Sequence, residues 1–327
     1  MASDPRYGPR LQGMALEVQA DPTVDGQALA SFAFEDAAPA PGLKLGLPFL
    51  GGDFKTECWQ VERLDNEGCG DGVSWRQAGD LLFLSWQARD DGTVNPCKLA
   101  EEGYTRLLNL ARDHQQPCLL RAWNFLPDIN AGEGDLERYR QFCLGRAMSL
   151  ERAGINLPEL CAGTAIGGHD PAMRIFLLTG SRPGINIENP RQVSAYRYPR
   201  IYGPRSPSFA RATALPQPDG QMLLMISGTA SVVGHETLHE GDLIAQLDEI
   251  ERNLRALLGE SAARLARPGL KTFGPDALLR AYVRYRDDWP AVRDHLARAW
   301  PGVSVVGLEG DICRTDLLVE IEAVCAG

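Results

Sequence analysis

Leu81-Leu-Phe-Leu-Ser85-Trp-Gln-Ala-Arg-Asp90 returns later in the chain as Leu223-Leu-Met-Ile-Ser227-Gly-Thr-Ala-Ser-Val232. Each is an apolar run that reaches a serine and opens into a polar loop. Helix-period segments follow both. The first is Leu99 to Arg112, with Leu99, Tyr104, Leu107, Leu108 and Ala111 at helical intervals. The second is Asp242 to Leu258, with Leu243, Leu247, Ile250, Leu254, Leu257 and Leu258. Leu119-Leu-Arg-Ala-Trp123 then recurs as Leu278-Leu-Arg-Ala-Tyr282, and further helices are predicted over Leu136 to Ala153 and Pro290 to Trp300. A closing strand is expected over Gly163 to Thr179 in one half and over Asp311 to Val324 in the other. Matches in the same order along both halves describe a duplication. Each half reads strand, helix, strand, helix, strand, which predicts an α+β fold of two modules, their mixed sheets covered by helices.

The modules are expected at residues 1–180 and 214–327, joined by a connector over 181–213. That connector is rich in Pro, Arg, Tyr and Ser and has no apolar period, so it reads either as a functional loop or as a solvated, proline-stiffened linker. With 327 residues, 44% of them hydrophobic, the chain can bury a sizeable core. A formal net charge of -10 without a basic cluster argues against nucleic acid or an anionic membrane as partner. Neither a run of about twenty apolar residues nor a signal-peptide core after Met-Ala-Ser-Asp-Pro-Arg6 is present, so a cytoplasmic location is expected. The cysteines at 58, 69, 97, 118, 143, 161, 313 and 325 include no Cys-x-x-Cys pair and read as reduced residues, several of them in the core. His235, Glu236 and His239 come closest to a metal cluster, but in the wrong order for a zinc protease, and a polar loop is the better reading.

Two stretches carry chemistry on their own terms. The C-terminal Cys313-Arg-Thr-Asp-Leu-Leu-Val-Glu320-Ile-Glu322-Ala-Val-Cys-Ala-Gly327 sets Glu320 and Glu322 on one face of an apolar strand. Buried there, they would have raised proton affinity and suit a general acid; on an edge strand they would be ordinary surface carboxylates. Arg197-Tyr-Pro-Arg-Ile-Tyr202-Gly-Pro-Arg205-Ser-Pro-Ser-Phe-Ala-Arg211 could bind a small dianion through guanidinium forks. Ile226-Ser-Gly-Thr-Ala230 offers small side chains and free amides where a ligand could approach the backbone. No phosphate loop, dinucleotide fingerprint or nucleophile elbow is present.

Tyr198-Pro-Arg-Ile-Tyr-Gly-Pro-Arg-Ser-Pro-Ser-Phe-Ala-Arg211, Ile226-Ser-Gly-Thr-Ala-Ser-Val-Val-Gly-His-Glu236 and Cys313-Arg-x-Asp-Leu-Leu-Val-Glu-Ile-Glu-Ala323 together resemble the chorismatase family, as do Arg121-Ala-Trp-Asn-Phe-Leu-Pro-Asp-Ile-Asn130 and Tyr139-Arg-Gln-Phe-x-x-Gly-Arg146. The terminal Val-Glu-Ile-Glu-Ala is also similar to the RidA/YjgF superfamily, whose chorismate-mutase-like fold the chorismatases double. Only about the first forty residues lie outside the resemblance. It implies cofactor-free removal of pyruvate from chorismate by protonation of the enolpyruvyl ether, giving 3- and/or 4-hydroxybenzoate. The alternatives are a hydrolytic chorismatase yielding 3,4-dihydroxycyclohexa-1,5-diene carboxylate, or a RidA-like imine deaminase or ligand-binding protein. By position in the motifs, Glu320 would be the general acid and Glu322 its electrostatic neighbour. Arg205 and Arg211 would bind carboxylates, with Tyr202 orienting one, and Gly228 and Thr229 would form the pocket floor. Cys313 matches the family's aromatic-acid formers, whereas Ala230 matches its hydrolysing type. A monomer or a trimer is compatible with such a fold.

Overall fold

The two echoed runs become equivalent strands. The computed structural model describes residues 14–22, 27–35 and 42–327; the Met1 to Arg6 stretch lies outside them. In the first module a hairpin of Val73–Ala78 (β1) and Leu81–Arg89 (β2) leads through helix Pro96–Asp113 (α1) to Cys118–Pro127 (β3). The chain continues through Arg138–Arg152 (α2) to Ala162–Gly168 (β4) and returns along Ala172–Gly180 (β5). The second module repeats this with Ala212–Pro216 (β6), Met222–Thr229 (β7), Leu243–Leu265 (α3), Leu278–Val283 (β8), Trp289–Ala299 (α4), Ser304–Glu309 (β9) and Val319–Ala326 (β10). The strand orders are identical, β1-β2-β5-β3-β4 and β6-β7-β10-β8-β9. In each, only the last pair is parallel.

Local chemistry explains the helices. Asn95 caps α1, its side chain accepting from the Cys97 amide at 2.7 Å, and a proline occupies the first turn, where its missing N–H costs nothing. Asp242 caps α3 by accepting from the Ala245 amide. Strand alternation then sorts the side chains. Leu82, Leu84, Trp86, Ile175 and Leu177 face α1 and α2, while Leu279, Ala281, Val283, Ile321 and Ala323 face α3 and α4. The opposite faces meet in a central core: Phe83, Trp123, Phe125 and Phe176 from one sheet, Met225, Leu278, Tyr282 and Val324 from the other.

Three features differ from the sequence reading. The strand expected over Gly163 to Thr179 is two strands turned by Gly168-His-Asp-Pro171, and both are buried, so apolar content alone does not reveal the break. In the other half the strand expected over Asp311 to Val324 begins only at Val319, and Ser304–Glu309 is a strand the sequence reading does not include. Residues before 180 are not confined to one module, because Phe49–Gly52 pairs with β9 of the other sheet. The segments on either side of it contribute too: Glu17–Ala20, Gln27–Ala33, Leu43–Lys44 and Thr56–Val61 form a four-stranded sheet whose Phe32 and Trp59 enter the central core. The connector also contributes a strand, Ile185–Ile187, alongside β6. All eight cysteines are free, and among the described residues no helix is long and apolar enough to cross a membrane.

The modules join where β4 runs beside β6 and β7. Ala162 N donates to Thr213 Oγ1 (2.7 Å), Gly163 N to Ser227 Oγ (2.8 Å) and Gly228 N to Thr164 Oγ1 (3.1 Å). The echoed serine therefore has a task in the second copy that its twin Ser85, bonded to Ser74, does not share. On the outer layer, α2 crosses α1 through Gly145, where an added Cβ would sit 2.0 Å from the Cys97 carbonyl oxygen. Gly145→Ala should therefore destabilise the fold by roughly 2 kcal/mol, overpacking outweighing the helix propensity that alanine adds. A denaturation midpoint equal to or above that of the parent would contradict this packing.

Candidate active site

The seam opens into a cavity of about 260 Å³. Its walls come from β4 (Gly163, Thr164), α2 (Tyr139, Arg146), the connector (Tyr198, Tyr202, Phe209, Arg211), the end of β7 (Gly228, Ala230) and the segment Cys313 to Glu320. The cavity thus exists only because two modules and their connector meet.

Glu320 lies on β10, between β7 and β8 in the middle of the seven-stranded sheet, so the edge-strand alternative does not hold. It is 5% exposed, and among the described residues no hydrogen bond or ion pair engages its carboxyl. Beside it the β7–β10 ladder shifts register between Ile226 and Thr229, a bulge that brings Gly228 against the carboxyl. A Cβ on Gly228 would fall 1.7 Å from Glu320 Oε1, so a larger residue there would displace the carboxyl from its present position. Burial is the largest influence on the Glu320 carboxyl, and the charge on Glu322 adds to it. Together they push it up to about 8, against the opposing pull of Arg121 and Arg211. At neutral pH Glu320 is a carboxylic acid with its proton in place.

Glu322, on the same face, has the opposite fate. It does not line the cavity but sits in the central core, accepting from Trp123 Nε1 (2.7 Å) and Tyr282 OH (3.0 Å), with Arg121 Nη2 at 3.0 Å and Arg280 Nη1 at 3.4 Å. Burial works against its charge, but Arg121, Arg280 and the hydrogen bonds outweigh that and hold it below the ordinary carboxylate range. Adjacent carboxyls thus divide into one acid and one anion, and Glu322 acts on a cavity ligand only through Glu320.

The arginines divide as well. Arg211 is 5% exposed; its Nη2 donates to Tyr198 OH (2.7 Å) and Val193 O (3.0 Å), and its Nε is buried without a partner. Arg146, 4% exposed, also keeps a partnerless Nε. Arg314 lies over the Tyr202 ring at 4.0 Å. Among the described residues none of these three meets a carboxylate, so their charge is available to an anionic ligand. Arg205, expected to bind a carboxylate, does not line the cavity: it pairs with Glu151 at 2.8 Å, half exposed, whereas Arg146 does line it. Arg200 is likewise spent on Asp135. Arg146 was visible in the sequence as a charge on the apolar face of a helix, between Phe142, Cys143 and Leu150, but nothing local shows what that face meets.

Tyr202 lines the cavity, its hydroxyl 3.4 Å from His235 Nδ1. Thr229, expected in the pocket floor, is buried with its hydroxyl donating to Ser227 O and does not line the cavity; Gly228 and Ala230 do. Cys313 lines the cavity wall; burial first and Glu320 second raise its thiol to about 12, which keeps it protonated and neutral. His235 packs on Tyr202 while His239 approaches Glu249, so the His-Glu-His triplet is split.

A raised carboxyl binds a proton in the folded chain that the unfolded chain has already released. Stability should therefore fall as pH rises from about 4.5 to about 8, by roughly 1.4 kcal/mol per pH unit for this group. Glu320→Gln removes that loss. Its melting temperature relative to the parent should climb between pH 5 and pH 9; a pH-independent difference would mean that Glu320 is ionised at neutrality.

The chain is similar to proteins of one group. A family model described as "Chorismatase FkbO/Hyg5-like, N-terminal" matches residues 57–179. A 3-hydroxybenzoate synthase of Streptomyces hygroscopicus is 38% identical over 277 residues, covering 82% of this chain and 80% of the relative. A chorismatase of Streptomyces rapamycinicus is 39% identical over 280 residues, 83% of this chain and 82% of the relative. A chorismatase crystal structure superimposes with a TM-score of 0.82 at 32% identity, over 96% of this chain and 99% of that one.

Proposed function

The chain belongs to the chorismatase family, and we propose that it removes pyruvate from chorismate by protonating the enolpyruvyl ether, with 3- and/or 4-hydroxybenzoate as product. One observation carries this reading: a buried carboxylic acid without partners faces a cavity lined by arginines without carboxylates. Chorismate carries a ring carboxylate and an enolpyruvyl carboxylate, and Arg146, Arg211 and Arg314 supply guanidinium donors for both, with Tyr202 orienting one.

Glu320 gives its proton to the methylene carbon of the enol ether, which becomes a methyl group. The ether carbon becomes an oxocarbenium centre, and the carboxylate left on Glu320 stabilises it. Cleavage of the bond between the ether oxygen and the ring then frees pyruvate, with that oxygen as its keto oxygen. The neighbouring hydroxyl-bearing ring carbon returns its hydrogen as a proton to the Glu320 carboxylate, giving 4-hydroxybenzoate. If the ring hydroxyl first captures the oxocarbenium carbon, its oxygen leaves with pyruvate instead and the product is 3-hydroxybenzoate. The hydroxybenzoate and pyruvate together account for every atom of chorismate, whereas the dihydroxycyclohexadiene acid needs one added water. Cys313, neutral beside Glu320, favours the aromatic outcome by occupying a wall where water would stand. The name of the 3-hydroxybenzoate synthase relative points the same way. Ala230 supports the hydrolytic alternative, in which water captures the oxocarbenium centre. The reaction as written needs neither metal nor organic cofactor.

Incubation of the purified protein with chorismate, assayed for pyruvate and by chromatography of the acids, separates the outcomes. Pyruvate with hydroxybenzoate is expected; pyruvate with the diol assigns the hydrolytic type, and no pyruvate rejects the reading. Glu320→Gln should lower kcat by about 10²–10⁴-fold with substrate affinity nearly kept, since shape survives and the proton does not. Near-parent turnover in that variant would remove Glu320 from its role. Arg211→Ala and Arg146→Ala should each raise KM roughly 10–100-fold, and an unchanged KM would dismiss them as clamps. In the parent, kcat/KM should fall above about pH 8 as Glu320 loses its proton.

A further inference from the structure

Glu57 lies on Thr56–Val61, a strand outside both duplicated modules, and does not line the cavity. It is 3% exposed, accepts from Trp59 Nε1 at 2.8 Å, and receives a fork from Arg280, Nε at 2.8 Å and Nη2 at 2.6 Å. The third nitrogen of Arg280 faces Glu322, which Arg121 approaches from the other module. The Arg280 guanidinium also lies 4.4 Å over the Phe32 ring of the same N-terminal sheet. Glu57, Trp59, Arg121, Trp123, Arg280 and Glu322 line a gap of only about 10 Å³, room for roughly one water at most.

The charges in this core balance. Arg121 and Arg280 are cations; Glu57 and Glu322 are anions. Glu320, two residues from Glu322 on the same face, is the carboxyl left over, and an uncompensated charge in a dry interior is expensive. We propose that Glu57 is a positioning residue for the reaction: by neutralising Arg280 from the N-terminal sheet it balances the core between the modules, so that Glu320 keeps its proton until substrate arrives.

This rests on the reading of Glu320 as the acid. Groups face Glu320 from every side: Glu322 on its own strand, Tyr282 across β8, Arg121 from β3, Arg211 from the connector and Cys313 from the loop before β10. Of these, Glu322 favours the protonated form, and Arg121 and Arg211 oppose it. Removing the Glu57 charge leaves the core with one excess cation, which should draw the proton off Glu320. Removing the Arg280 charge leaves one excess anion, which should hold it more tightly.

Glu57→Gln and Arg280→Gln test this by their opposite signs. The readouts are the alkaline limb of kcat/KM and the infrared carbonyl band of protonated Glu320, identified by its loss in Glu320→Gln. Glu57→Gln should move both downward by about one pH unit and Arg280→Gln should move both upward by a similar amount, as expected for one charge acting across a protein interior. Glu57→Asp keeps the charge and should keep the parent midpoint whatever it does to kcat. If Glu57→Gln does not fold, the upward shift in Arg280→Gln remains as the test. Shifts of the same sign, or none, would reduce Glu57 to a structural role. The infrared titration needs no turnover, so a failure of Glu57 to move it is distinct from a failure of the parent to release pyruvate.

Discussion

The grip of Arg121 and Arg280 on Glu322 is the constraint around which this molecule is arranged. Both arginines come from the repeated Leu-Leu-Arg-Ala-aromatic motif, and the aromatic members Trp123 and Tyr282 donate to the same carboxylate. Duplication thus points two copies of one cationic motif at one centre. A single acid there would be too costly to ionise alone, and two arginines there would repel each other without one. The C-terminal strand provides the acid; its counterpart, Arg174-Ile-Phe-Leu-Leu-Thr179, provides none. A symmetric frame therefore encloses an asymmetric charge.

That asymmetry gives the neighbouring carboxyl its character. With Glu322 ionised and satisfied, Glu320 stands buried beside a fixed negative charge and, among the described residues, has no donor of its own. The bulge at Gly228 supplies the space, and the seam formed by Thr164, Thr213 and Ser227 fixes the two modules relative to that space. The cavity then lies beside the charged core, with Arg146 and Arg211 among its lining residues.

Much of this was legible in the sequence. The apolar periods of the two halves repeat in order, and that order reappears as identical strand connectivity. Alternation set Glu320 and Glu322 on one face, where both lie. The reading went astray where neighbours in space decide. Arg205 and Arg211 occupy similar settings in the chain, yet Glu151 pairs with one, while among the described residues no carboxylate forms an ion pair with the other. Glu57 gives no signal in the sequence at all, since its partner is Arg280, more than two hundred residues away.

The sequence by itself determined the four long helices, the duplication and the presence of two acids on an apolar strand, because periodicity and composition are properties of neighbouring residues. Only the tertiary structure decided which acid keeps its proton, which arginines remain free and that the N-terminal sheet completes the core. Proton affinity and ion pairing depend on distance and desolvation, and those quantities arise when residues from both modules, the connector and the first strands are brought into contact.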